Sequence, residues 1–271
     1  MTAISQTIEG GIERIVYTPD EKRFETPIVM QHGMWHGAWG WQPWQELLAE
    51  WGWESHAHSL PGHGRSPTQR PIRWCTLGYY LEFLTAEIKQ MPRPPVLMGH
   101  SMGGALAQMV LKNQEDLAAA VLVAPWKSHS MVRPILRTLQ RDLPGFIRSA
   151  LHLTTTPLAR NPYRAAQMFI TEGALLSPAE LYEKLGPESM WVLFQYTPPL
   201  WRPAKQVNMP MLWLAGGADT LIREWEQKQS AAYYGADYVV VEGAGHDVML
   251  EKNSRDTAVT IHNWLSAQNI P

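Results

Sequence analysis

Gly99-His100-Ser101-Met102-Gly103 sets a hydroxyl between two glycines, after the apolar run Pro95 to Met98 and before the helix-forming run Ala105 to Leu111. This spacing suits a nucleophile elbow, a strand-to-helix turn so tight that glycines flank it and the serine Oγ is aimed at a substrate. A serine hydroxyl attacks poorly until a histidine takes its proton, and the histidine must be held in one tautomer by a carboxylate. Both partners come later in the chain, each on a short loop after a strand-like run. Met211 to Ala215 leads into Gly216-Gly217-Ala218-Asp219, and Tyr238 to Val241 leads to Gly243-Ala244-Gly245-His246-Asp247. The order Ser101, Asp219, His246 is the one expected when an elbow is completed by an acid and a base from later strands. The other strand end that could supply the acid, Val121 to Lys127, holds no carboxylate.

A second informative stretch is His32-Gly33-Met34-Trp35-His36-Gly37-Ala38-Trp39, which follows the short apolar run Pro27 to Gln31. Its glycines free backbone N–H groups to point into a cavity, as an oxyanion hole requires, and Met34 is the donor expected from this loop. A metal site on His32 and His36 is disfavoured. The glycines oppose a helical i, i+4 pair, and no nearby glutamate completes a zinc motif. His56, His58 and His63 are explained by alternating strand positions and a turn. No metal and no organic cofactor is expected.

The elements that must position these groups alternate in type. Residues 6–9 and 13–17 around Gly10-Gly11 predict an N-terminal hairpin, and Trp44, Leu47, Leu48 and Trp51 predict a helix with Pro43 in its first turn. A strand over 53–59 follows, then a helix capped by Thr76 and carrying Leu77, Leu81, Leu84 and Ile88 on one face. With the elbow strand, the elbow helix to about Lys112 and a strand over 118–124, the pattern predicts a parallel α/β sheet. Residues 126–207 break it, having no strand-like run but two capped helix starts at Asn161-Pro162 and Ser177-Pro178-Ala179-Glu180. The expected organisation is a core of residues 1–125 and 208–271 with a helical cap, 126–207, inserted at the sheet edge where ligands bind. The expected pocket has Trp35, Trp39, His100 and Trp126 below and Trp191 and Phe194 above.

Composition narrows the partners. Among 271 residues, 23 basic and 25 acidic side chains give a net charge of −2 with no basic stripe, which argues against nucleic acid. No apolar run is long enough to span a bilayer. The single cysteine, Cys75, and the plain N-terminal residues lead to the expectation of a reducing, cytoplasmic location. Thirteen tryptophans and 18% charged residues suit an apolar concave surface, or simply a large aromatic core. The oligomeric state is left open.

Taken together, His32-Gly33, Pro61-Gly62-His63-Gly64, the Ser101 elbow, Gly217-Ala218-Asp219 and Gly245-His246 resemble the α/β-hydrolase superfamily over residues 27–126 and 207–265. The resemblance implies an eight-stranded, mostly parallel sheet with the cap after the sixth strand. It further implies Ser101 as nucleophile, His246 as base, Asp219 as orienting acid, and Met34 and Met102 N–H groups as oxyanion hole. The loop from His32 to Trp39 looks like the segment shared by plant methylesterases and hydroxynitrile lyases. The lyases typically carry threonine at the position of Gly33 and lysine at that of Asp247, so the ester-cleaving branch fits better. The expected reaction is hydrolysis of a small-molecule carboxylic ester of short to medium apolar acyl or aryl groups. Lactone, thioester, perhydrolase and carbon–carbon bond chemistries would use the same triad, and a receptor-like module that keeps the triad but only binds is the reading from another class.

Overall fold

A computed structural model of the chain describes residues 2–113, 116–205, 207–268 and 270. Met1 and Pro271, the outer ends of the expected core segments, and Gln206 in the expected cap lie outside the described residues. Eight strands form one sheet: β1 (Ala3–Glu9), β2 (Ile12–Thr18), β3 (Ile28–Gln31), β4 (Ser55–Ser59), β5 (Val96–His100), β6 (Ala119–Val123), β7 (Met211–Gly216) and β8 (Asp237–Val241). Their order is β1-β2-β4-β3-β5-β6-β7-β8. The N-terminal hairpin joins antiparallel through β2 to β4, and every pairing from β4 to β8 is parallel.

The central strands β3, β5, β6 and β7 are buried at every residue, as strands covered on both faces must be, which is why they read as unbroken apolar runs. Helices α1 (Gln42–Glu50), α2 (Leu77–Gln90), α3 (Met102–Lys112), α9 (Glu224–Tyr234) and α10 (Ser254–Ala267) flank the sheet. Thr76 caps α2 as expected, its hydroxyl accepting from Tyr79 N–H. Helix α1 packs on α10, where Trp44 Nε1 donates to Ser254, and Trp213 on β7 donates to Gln227 on α9. Trp41, Trp44, Trp53 and Trp213 are fully buried, so much of the tryptophan content serves the core rather than a concave surface.

Between β6 and β7 lie α4 (Val132–Arg141), α5 (Leu143–His152), α6 (Pro162–Phe169), α7 (Pro178–Lys184) and α8 (Trp191–Gln195). The predicted starts of α6 and α7 are present: Asn161 Oδ1 accepts from Arg164 N–H, and Ser177 with Glu180 forms a full capping box. Helices α4 and α5 escaped the sequence reading. This segment is tied by polar contacts to the helices and loops that flank the sheet. Glu188 is fully buried and accepts from Tyr80 Oη at 2.9 Å and Ser189 N–H at 2.6 Å, while facing His63 Nε2 at 3.1 Å. Arg137 on α4 pairs with buried Glu226 on α9. Among the described residues no helix is long and apolar enough to cross a membrane.

Candidate active site

Ser101 follows β5 directly and precedes α3, with φ +52° and ψ −115°. That left-handed φ is uncommon outside glycine and costs on the order of 1–3 kcal/mol, held here by surrounding bonds. Ser101 N–H donates to the Val123 carbonyl, and the Ser101 carbonyl accepts from Ala105 and Trp126. Gly103 has no room for a side chain, because a Cβ there would run into the backbone oxygens of Gln31 and His32. The elbow is therefore seated against the His32 loop.

The three residues far apart in sequence meet. Ser101 Oγ lies 2.8 Å from His246 Nε2, and His246 Nδ1 lies 2.7 Å from Asp219 Oδ2. Asp219 Oδ1 accepts from the N–H groups of Leu221 and Ile222, which fixes the carboxylate. A carboxylate can only accept, so Nδ1 carries the ring proton and Nε2 is left to accept from the serine hydroxyl. All three side chains are buried. Burial by itself would lower the His246 pKa, but the charge and hydrogen bond of Asp219, with a further contribution from Asp247, outweigh it and leave the pKa above its ordinary 6.5.

Met34 and Met102 are buried beside this serine. Among the described residues neither backbone N–H has an acceptor, as expected at the first position of a helix for Met102. Gly33 has little room for a side chain: a Cβ there would lie 2.8 Å from Ser101 Cβ and 2.9 Å from His100 Nδ1.

Beneath the triad sits a second buried pair that the sequence reading missed. His36 Nδ1 is 2.7 Å from the Met34 carbonyl, and its Nε2 is 2.8 Å from Asp247 Oδ2. The carbonyl accepts only, so Nδ1 is protonated, and the contact with Asp247 needs another proton on one side or the other. The pair thus holds the Met34 loop to the residue next to His246. Asp247 N–H in turn donates to the Phe169 carbonyl on α6.

A narrow cavity of about 60 Å³ opens above Ser101 and His246, walled by Met34, Trp35 and Trp126 from the core loops and by Met131, Ile135, Phe146, Met168 and Leu193 from the β6–β7 segment. Of the side chains expected around a substrate, Trp35 and Trp126 line this cavity. Trp39, His100, Trp191 and Phe194 are corrections, because none of them lines this cavity. Trp39 stacks on His36, with ring centroids 5.2 Å apart. His100 points beneath the site, its Nε2 3.2 Å from the His246 carbonyl, and burial pushes its pKa well down so that the ring is neutral. Trp191 and Phe194 lie three residues apart on the outer side of α8, 40% and 43% exposed, while Leu193 turns inward. The inner face of α4 was findable, since Met131, Ile135 and Thr138 recur at helical spacing.

His32 and His36, the pair considered for a metal, have their ring nitrogens engaged within the protein. His32 Nε2 accepts from Leu60 N–H and its Nδ1 faces the Gly33 carbonyl. No cluster of three or more His, Cys, Asp or Glu able to hold a metal occurs among the described residues.

A sheet order with a serine elbow after β5, an acid after β7 and a histidine after β8 defines a hydrolase-type α/β architecture. The chain belongs to the alpha/beta hydrolase family, whose sequence profile matches residues 28–259. It is similar to a putative esterase/lipase of Mycoplasma pneumoniae, 38% identical over 32% of this chain and 34% of that protein. It is also similar to methylesterase 1 of Arabidopsis thaliana, 35% identical over 38% of this chain and 40% of the plant protein. The chain thus matches well under two thirds of the length of these two relatives. A longer match, 27% identical over 81% of this chain and 87% of the relative, is to a pimeloyl-[acyl-carrier protein] methyl ester esterase of Xanthomonas axonopodis pv. citri. Among solved structures, the monoacylglycerol lipase of Paleococcus ferrophilus superposes with a TM-score of 0.71 at 19% identity, covering 95% of this chain and 99% of that one.

Proposed function

We propose that this protein hydrolyses carboxylic esters of small molecules through an acyl-enzyme on Ser101. The observation that carries the reading is the unbroken contact chain Ser101–His246–Asp219 at the floor of an apolar cavity, beside two unengaged N–H groups. Esterase names among the sequence relatives support it. In this mechanism His246 Nε2 takes the Ser101 proton as Oγ attacks the ester carbon, and the oxyanion that forms accepts from Met34 and Met102 N–H. The protonated ring, stabilised by Asp219, gives its proton to the departing alcohol. Water then loses a proton to His246 and attacks the acyl carbon, and Ser101 leaves with that proton.

In the same reading the helices between β6 and β7 are a cap over the core, contributing wall but none of the three triad side chains. The cavity is far below the ~300–1,000 Å³ of drug-sized sites, so a short acyl chain is enough to fill it. On p-nitrophenyl esters from acetate to palmitate, kcat/KM should peak at short to medium chains. Leu193→Ala should move the peak to longer chains and Trp191→Ala should leave it in place. A palmitate optimum in the parent would contradict the reading, and binding without turnover of any ester would make the protein a binding module instead.

The reaction needs a neutral His246, so kcat/KM should rise with pH through a midpoint at or above the histidine pKa, which the structure holds above 6.5. Asp247→Asn removes one of the negative charges that favour the imidazolium, so the midpoint should move down. A kcat/KM that stays flat as the pH rises from acid through neutral would contradict a histidine base whose pKa is raised above 6.5.

A further inference from the structure

The narrow cavity over Ser101 adjoins a wider pocket of about 490 Å³, the two sharing Thr138, Leu158, Met168 and Leu221 in their walls. The shared Leu221 donates its N–H to Asp219 Oδ1, so the wider pocket borders the loop that holds the acid of the triad. The rest of its wall is polar, comprising Arg141, Asp142, Arg164, Gln167 and Thr220. Asp142 is already neutralised, because Arg160 grips both of its oxygens and Gly145 N–H donates to one of them. Arg141 spends one nitrogen on the Thr220 carbonyl, and the Arg164 guanidinium makes no hydrogen bond within the described residues, its backbone N–H being the group that Asn161 caps. Two guanidinium groups with donors to spare therefore face the outer pocket. Charge is distributed to match: residues 126–207 hold ten Lys and Arg against five Asp and Glu, in a chain whose totals are 23 and 25. The mouth lies on the cationic part of an otherwise acidic molecule.

We propose that the ester taken by this site carries a second, anionic group. Its apolar portion fills the cavity over Ser101, and a carboxylate at the far end is held by Arg141 and Arg164 in the outer pocket. A guanidinium matches a carboxylate through two parallel hydrogen bonds, and an arginine pair at the end of an apolar channel selects a half-ester of a dicarboxylic acid over a neutral ester of equal length. This inference rests on the hydrolytic reading above and adds the substrate class.

The test compares monomethyl succinate, glutarate and adipate with methyl butyrate, pentanoate and hexanoate, following methanol release. At one or more of the three lengths the half-ester should exceed its neutral partner in kcat/KM by about tenfold or more, the range of a hydrogen bond to a charged group. That ratio should collapse in Arg141→Gln/Arg164→Gln and persist in Arg148→Gln, a charge change on α5 outside both walls. Neutral esters preferred at every length, or a ratio unaltered by the double substitution, would overturn the proposal. If neither series is cleaved, the hydrolytic reading falls, and calorimetry with adipate decides the pocket: binding lost in the double variant upholds the anion site, and no arginine-dependent binding removes it.

Discussion

Ser101→Ala is expected to lower kcat by a factor of about 10⁴ or more on any ester the parent cleaves, while the protein stays folded. The alanine keeps the elbow backbone but leaves His246 Nε2 with no hydroxyl to deprotonate. His246→Ala should cost a comparable factor, since the serine then keeps its proton. The two losses should not add, because each disables the same step, and the double variant should match the worse single one. A fluorophosphonate should label the parent once and Ser101→Ala not at all. A second nucleophile would show as labelling that survives in Ser101→Ala, or as a double variant far slower than either single one.

The second large effect is on stability. Glu188→Ala should destabilise the fold by about 3–5 kcal/mol, the usual consequence of removing one partner of a buried charge contact. The substitution strips an acceptor from Tyr80 Oη, from Ser189 N–H and from His63 at a fully buried position. Burial, the larger cause of the raised Tyr80 pKa, persists in Glu188→Ala, so the phenol does not relieve the loss by ionising. Glu188→Gln retains one acceptor oxygen and should cost less. Urea unfolding of the two variants is the measurement. A midpoint shift in Glu188→Ala worth less than about 0.5 kcal/mol would mean that these donors find other partners.

What could be read from the residues alone follows from how local each signal is. The elbow, the strand-end aspartate and the strand-end histidine are each contained in five or so consecutive residues, and the parallel strands announce themselves as short apolar runs. Side-chain direction in the β6–β7 segment is another matter. Helix α8 spans only Trp191–Gln195, too few residues for a periodic pattern, so the size of Trp191 and Phe194 suggested a wall that their outward face does not make. Helix α4 carries Pro134 and three arginines, which masked the apolar spacing of its inner face. The His36–Asp247 contact joins positions 211 residues apart and leaves no local trace. His100 adjoins the serine in sequence, yet its ring lies outside the cavity and faces the His246 carbonyl, a side-chain direction that the sequence does not show.

The His36–Asp247 pair bears on how this site can be rebuilt. One member sits in the loop that presents Met34, and the other is the immediate neighbour of His246. Redesign at either position has to treat them together: replacing Asp247 removes the partner of His36 Nε2 and frees the loop that presents the Met34 N–H, although the two residues lie 211 positions apart.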